Sequence, residues 1–141
     1  MEPTSSIGIP LEIASEKSNL SQALLGELAE HLNHFAATGQ PYVIDLSSLP
    51  VSEQDLRDLE QILGQGEVDA TLNTIGESKV YETQYAGIWW IKHYSPEQKL
   101  MSQFIEINDV PEILKCHNDD IRHSAEALLD ASSQQREKVY E

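Results

Sequence analysis

Four short segments between residues 68 and 107 constrain the fold most. Val68-Asp69-Ala70-Thr71-Leu72 alternates apolar and polar residues, as a strand with one wet face should. Residues 78–83, 87–94 and 99–107 are three further strand candidates, rich in aromatic and β-branched side chains. The links between them are short, Ser95-Pro96-Glu97-Gln98 among them. Links of that length join antiparallel neighbours, because a parallel crossover needs about a dozen residues or more. The middle of the chain therefore predicts an antiparallel meander.

On either side the period becomes helical. Leu20, Leu24, Leu28, Leu32 and Phe35 recur at spacings of four and three, the face of one helix. Asn19 with Gln22 resembles a capping box at its start, and Gly39-Gln40-Pro41 ends it. Tyr42-Val43-Ile44-Asp45-Leu46 reads as a short, largely buried strand before a turn at 47–50. Ser52 followed by Asp55 is a second capping signal, opening a helix with Leu56, Leu59, Ile62 and Leu63 inward. Gly64 is placed for a left-handed C-terminal cap. A last helix is capped by Asn118, led by Asp119 and Asp120, and turns Ile121, Ala125, Leu128 and Leu129 to one side. At the ends, Ile7, Ile9, Leu11 and Ile13 alternate, so residues 1–17 are expected to be an edge strand or an arm. Residues 132–141 lose the apolar face and read as a polar tail that frays or projects. The expectation is an α+β fold: an antiparallel β-meander of about four to five strands packed with about three α-helices, as a single domain over residues 18–131.

Charge narrows the partners. The net charge is −15, and it is uneven: residues 1–70 hold twelve acids against Lys17 and Arg57, residues 71–141 twelve acids against seven bases. Such a field repels nucleic-acid phosphates and anionic lipid, and speeds encounter with a basic partner; it also keeps a protein soluble. No nucleic acid and no membrane insertion are expected, since no run approaches the ~18 apolar residues of a membrane span. The N-terminus lacks a signal-peptide layout, and Cys116 is the lone cysteine, so a cytoplasmic protein without internal disulfides is the simplest expectation.

Each chemically suggestive motif has a structural alternative. Leu63-Gly64-Gln65-Gly66-Glu67 is glycine-rich, but no lysine follows the second glycine and the loop leaves a helix instead of entering one. It reads as a helix stop and a tight entry into a strand. Glu67, Glu82 and Glu106 lie in or beside strand candidates. They converge on one sheet face to grip an arginine-rich peptide, or stand as separate solvent-facing residues. Trp89 and Trp90 point to opposite faces of a strand. Either a two-sided cover makes both rings structural, or one is an exposed anchor, with Trp90 the better candidate because Trp89 shares its face with Ile91. Glu27, His31 and His34, and Cys116-His117 with His123, show no recognised metal-ligand spacing.

Taken together, Gly64, Gly66, Glu67, Glu82, Thr83, Gly87, Trp89, Glu106 and Pro111 resemble the C-terminal domain of the hydrogenase expression/formation family (the HupH/HyaF type), over about residues 39–131. The resemblance implies an accessory, chaperone-like protein in the maturation of nickel-iron uptake hydrogenases. It would act around the iron-sulfur-bearing small subunit or its precursor, whose exported forms carry a twin-arginine signal, and other maturation proteins are further candidate partners. It implies no enzyme activity, no catalytic residue, no resident cofactor and no metal site. Many family members are longer, so the chain would correspond to their C-terminal domain with a short leader. Partner binding is assigned to Glu67, Glu82, Trp89, Trp90 and Glu106, and a structural role to Gly64, Gly66, Gly87 and Pro111. The alternatives are a metal or iron-sulfur handling protein, using His31, His34, Cys116 or His117, and, ranked last, an enzyme with paired glutamates. A homodimer through an exposed strand edge is left open.

Overall fold

The computed structural model describes residues 8–140, and the side chains of residues 20–138. The meander forms as its alternation predicts. β2 (Asp69–Asn73), β3 (Glu77–Glu82), β4 (Ile88–Tyr94) and β5 (Leu100–Ile107) pair antiparallel in sequence order. β1 (Tyr42–Asp45) adds antiparallel to β5, giving a five-stranded sheet of order β1-β5-β4-β3-β2. With the three helices this is the expected α+β class.

β1 departs from expectation. It lies at the sheet edge, and only Ile44 of its four residues is buried. An edge position explains its shortness and its exposed Tyr42 and Val43.

The pleat sorts residues between faces. Ile44, Ile105, Trp90 and Tyr81 stand in one cross-strand row, beside Ile107 and Ile88. Against them pack Leu24 and Leu28 of α1 (Gly8–Thr38), and Leu59 and Leu63 of α2 (Glu53–Leu63), with Leu46 between. Both helices thus spend their apolar stripe on the same sheet face, the usual solution for an α+β domain.

α2 follows its sequence signals. Ser52 Oγ accepts from the Asp55 N–H at 3.0 Å and the Asp55 carboxylate accepts from the Ser52 N–H at 3.0 Å, a complete capping box. Ile62 is the exception to the expected inward set and is exposed.

α1 starts earlier than predicted. The helix is continuous from Gly8 through Asn19, so Asn19 caps nothing, and residues 8–17 are helical instead of an edge strand. Ile9 and Ile13 are spaced four apart as well as alternating, so they fit either period. Pro10 falls in the first turn, where a missing N–H costs no helical hydrogen bond. The part of that expectation on residues 1–7 lies outside the described residues. At the other end Gly39 takes φ 75° and donates to Phe35 O at 2.7 Å, the glycine stop expected there.

The chain divides into two compact units, Met1–Pro111 and Glu112–Glu141, a boundary inside the span read as one domain. The second unit holds a 3-10 turn (Glu112–Leu114) and α3 (Asn118–Tyr140). Residues 132–138, expected to fray or project as a polar tail, continue this helix with exposed side chains. Every described α3 side chain is exposed, including Ile121, Leu128 and Leu129, the residues that marked one side of this helix in the sequence.

Candidate partner-binding site

The loop after α2 is tied to the end of β3 through backbone. The Gly64 N–H closes the helix on Glu60 O at 2.9 Å. Its φ of 67° and ψ of −162° are not the left-handed cap geometry expected, but they lie in a region that only glycine enters without strain. Gly66 donates to Glu82 O at 2.7 Å, and the Glu82 N–H returns to Val68 O at 2.9 Å. Gln84 adds a backbone bond to Leu63 O and a side-chain bond to Ile62 O, each 3.0 Å.

Gly66 is required by proximity. A Cβ there would lie 2.6 Å from Thr83 O and 3.1 Å from Glu82 Oε1. The loop therefore presents Glu67 one residue from a backbone position in contact with the Glu82 carboxylate. Glu67 is exposed and Glu82 half-buried, and among the described residues neither carboxylate has a hydrogen-bond or ion-pair partner. The glycines carry no phosphate-binding geometry; they allow close approach.

Strand register carries the row inward. Glu82 is opposite Trp89 on β4, and Trp89 is opposite Glu106 on β5, so the three share a sheet face. Burial deepens along the row until Glu106 is only 4% exposed. There the Asn108 side-chain amide donates to Glu106 Oε2 at 3.0 Å, and Asn108 O accepts the Trp89 indole N–H at 3.0 Å. Gly87, at φ 93°, accepts the Asn108 N–H at 3.0 Å. Thr83 Oγ1 closes the intervening turn on the Tyr85 backbone, and Pro111 is buried. Glu82, Thr83, Gly87, Trp89, Glu106 and Asn108 thus build one corner of the sheet.

Strand register places two of the three glutamates, Glu82 and Glu106, on one sheet face with Trp89 between them, while Glu67 lies in the loop before β2. Glu67 and Glu82 form a free acidic rim, whereas Glu106 is held inside. Trp90 is fully buried at 0% exposure, in the core cluster with Leu28, Leu59 and Ile105, and its indole N–H donates to Gln103 Oε1 at 2.9 Å. Trp89 is 5% exposed. Neither ring is the exposed anchor expected of Trp90. Both faces of β4 are covered, the helices lying on the Trp90 side.

Two features escaped the sequence. Asn108 is the hub of the corner, and its only signal was a polar residue closing a buried strand, where every polar atom needs a partner. The second is a cluster in an open cleft of about 410 Å³ lined by Glu60, Gly64, Asp69, Lys79, Tyr81 and Lys92, among others. Lys92 Nζ lies 2.8 Å from Glu60 Oε2, and the Tyr81 hydroxyl donates a short hydrogen bond to the same oxygen. Burial, reinforced by that bond and by the Glu60 charge, holds the Tyr81 hydroxyl well above the ordinary phenol range. Glu60 interrupts the Leu56–Leu59–Leu63 stripe of α2, the one trace of the cluster in the sequence.

The histidines are placed otherwise. His31 stacks on Tyr42 with ring centroids 3.4 Å apart and stands 3.8 Å from Glu27; His34 lies 3.5 Å from Gln40 Oε1. Cys116 is exposed. Among the described residues no three His, Cys, Asp or Glu side chains gather as a metal-holding group. None of the described helices is long and apolar enough to cross a membrane.

These features define a small α+β domain whose distinctive residues build a rigid corner edged with unpaired carboxylates. Comparison with known proteins gives its family. The chain belongs to the HupH hydrogenase expression proteins: the model of their C-terminal conserved region matches residues 19–134. The hydrogenase expression/formation protein HupQ of Azotobacter chroococcum mcd 1 is 33% identical over 105 residues, covering 74% of this chain and 36% of the relative. The hydrogenase-1 operon protein HyaF of Escherichia coli strain K12 is 29% identical over 105 residues, 74% of this chain and 36% of its own length. The solved structure of hydrogenase expression protein HupH from Thiobacillus denitrificans ATCC 25259 superposes with a TM-score of 0.79 at 40% identity. That likeness covers 83% of this chain and 98% of the solved one. The chain thus spans little more than a third of the curated relatives it matches.

Proposed function

We infer that this chain is a non-enzymatic assembly factor in hydrogenase maturation that binds the small subunit, or its precursor, in the cytoplasm. The observation that carries this reading is the pair of carboxylates at Glu67 and Glu82, flanking Gly66, with no partner for either among the described residues. Two carboxylates without partners on one loop and strand end offer acceptors for a guanidinium. An arginine pair is the matching ligand, since each planar fork takes a carboxylate through two parallel hydrogen bonds.

The buried residues of the row serve a different purpose from the one expected. Trp89 and Glu106, with Trp90 in the core on the opposite face, support the strand ends that hold the rim, so their contribution to binding is rigidity without contact. The overall charge of −15 supplies long-range attraction, which gives the encounter its salt dependence. Masking an arginine-bearing export signal until the subunit is complete is the task this surface suits.

Calorimetric titration with the small-subunit precursor, with and without its signal segment, tests the reading. Binding that requires the signal and weakens with salt supports it. Equal binding of both forms moves the contact to the folded part of the subunit, and no binding of either refutes it.

A further inference from the structure

β2 is the outermost strand on one side of the sheet, and half of its backbone is unspent. The Glu82 N–H donates to Val68 O at 2.9 Å, and the Thr74 N–H to Gly76 O at 3.1 Å. With Ala70 opposite Val80 and Leu72 opposite Ser78 between them, it is the even-numbered residues of β2 that bond to β3. The N–H and C=O groups of Asp69, Thr71 and Asn73 therefore point away from the sheet, and among the described residues they have no partner. The edge belongs wholly to the first unit. Only another extended backbone satisfies such groups in series.

The two edges of the sheet are built differently. β1 has four residues, follows Pro41, and ends at Asp45, whose carboxylate turns back to the Ser47 N–H. Shortness and an edge proline are the usual protections against strand addition. β2 has neither proline nor lysine, and its register with β3 is unbroken.

The side chains beside β2 define what it fits. Asp69 stands opposite Tyr81 and shares its face, whereas Glu82, the next residue of β3, lies on the other face. Asp69 is exposed and Glu82 half-buried, and among the described residues neither carboxylate has a hydrogen-bond or ion-pair partner. One end of the strand thus offers an acid on each face. Successive side chains of an added strand also point to opposite faces, so two neighbouring basic residues reach both acids. Beyond them Ala70 and Leu72, half-buried beside the fully buried Val80, offer alternate apolar positions on the Glu82 face. Lys79 stands opposite Thr71 on the Asp69 face, which disfavours a further cation there and so sets the register.

We propose that β2 is a docking edge. An extended segment with two neighbouring basic residues adds to it, its backbone bonding Asp69, Thr71 and Asn73 and its basic side chains reaching Asp69 on one face and Glu82 on the other. The proposal rests on the reading of the acidic rim given above and adds to it the shape of the ligand. Main-chain bonds supply affinity, and the acids fix the register.

Amide hydrogen exchange tests this, followed by NMR on the isotope-labelled full chain with and without the signal segment of the small-subunit precursor as a synthetic peptide. Saturating peptide is expected to slow the Asp69, Thr71 and Asn73 amides about tenfold or more, while those of Ala70 and Leu72, already bonded to β3, change little. If the peptide binds, and binds more weakly to Glu82→Lys, yet leaves those three amides unchanged, the added strand is refuted and the rim reading survives. A peptide that does not bind at all overturns both. Slow exchange of the three amides without peptide, together with a doubled mass in solution, gives the edge to a second copy and also overturns the proposal.

Two variants supply further readouts. Thr71→Pro removes one outward N–H and leaves the even-numbered bonds to β3 in place, which is why an edge strand tolerates proline. It is expected to keep the tryptophan fluorescence of the wild type and to bind the peptide about tenfold more weakly or worse. Asp69→Asn should also weaken binding about tenfold, a loss that a site made of Glu67 and Glu82 alone would not show. Undiminished binding by either folded variant contradicts the docked strand.

Discussion

Replacing Gly66 by alanine tests the corner through a single methyl group. The added Cβ would sit 2.6 Å from Thr83 O, well inside contact distance, and the obstacle is backbone that cannot rotate away. Relief requires the loop to lift from β3, which stretches the 2.7 Å bond from the Gly66 N–H to Glu82 O. Forcing an extra methyl into a packed site costs about 1–3 kcal/mol, and a weakened backbone hydrogen bond about 0.5–1.5 kcal/mol. Part of the second is already counted in the first, so the expected loss is about 2–3 kcal/mol. At about 4 °C per kcal/mol for a chain of this size, the melting temperature falls by roughly 8–12 °C. Gly26 is the control. It lies exposed within α1 with nothing inside 4 Å of where a Cβ would stand, so Gly26→Ala should stabilise by about 0.5–1 kcal/mol through helix propensity. Urea unfolding followed by the fluorescence of the buried tryptophans measures both. The reasoning fails if Gly66→Ala is neutral, or stabilises as Gly26→Ala does.

Three further outcomes follow from the described contacts. Ser52→Ala removes one arm of the capping box and should cost about 1 kcal/mol, seen as a lower urea midpoint with an unchanged slope. Tyr81 has its pKa raised in the folded state by burial and by Glu60, so its stabilising contribution is complete below the unfolded phenol value of about 10. That contribution declines as pH rises above it, and ultraviolet titration should show one tyrosine that fails to ionise with the others until the protein unfolds. Tyr81→Phe deletes the hydrogen bond to Glu60 and should cost about 1–2 kcal/mol while flattening the alkaline loss of stability.

Local signals made the sheet and α2 legible. Short links and alternation fixed the antiparallel order of β2 to β5, and Ser52 with Asp55 marked the start of α2 to the residue. The start of α1 was ambiguous because Ile9 and Ile13 satisfy two periods at once. The fate of Trp90 was not local at all. Alternation says that Trp89 and Trp90 face opposite ways, but which face is covered depends on where α1 and α2 dock. Glu67, Glu82 and Glu106 were recognisable as a set, yet the alignment of Glu82 with Glu106 rests on strand register, and the burial of Glu106 beside Asn108 sets it apart from the other two. The α3 stripe was visible as a pattern. A pattern states that a face needs covering; it does not state whether the cover belongs to the same chain.

The acidic rim is most directly tested by charge reversal. Glu67→Lys and Glu82→Lys, singly and together, should leave the fold intact because neither carboxylate has a partner among the described residues. Titrated with the signal-bearing small-subunit precursor at low salt, each is predicted to weaken binding about tenfold or more, the loss of one charge-assisted contact at about 1.5–3 kcal/mol. The loss should shrink as salt rises. Binding unchanged in the double variant would contradict the account.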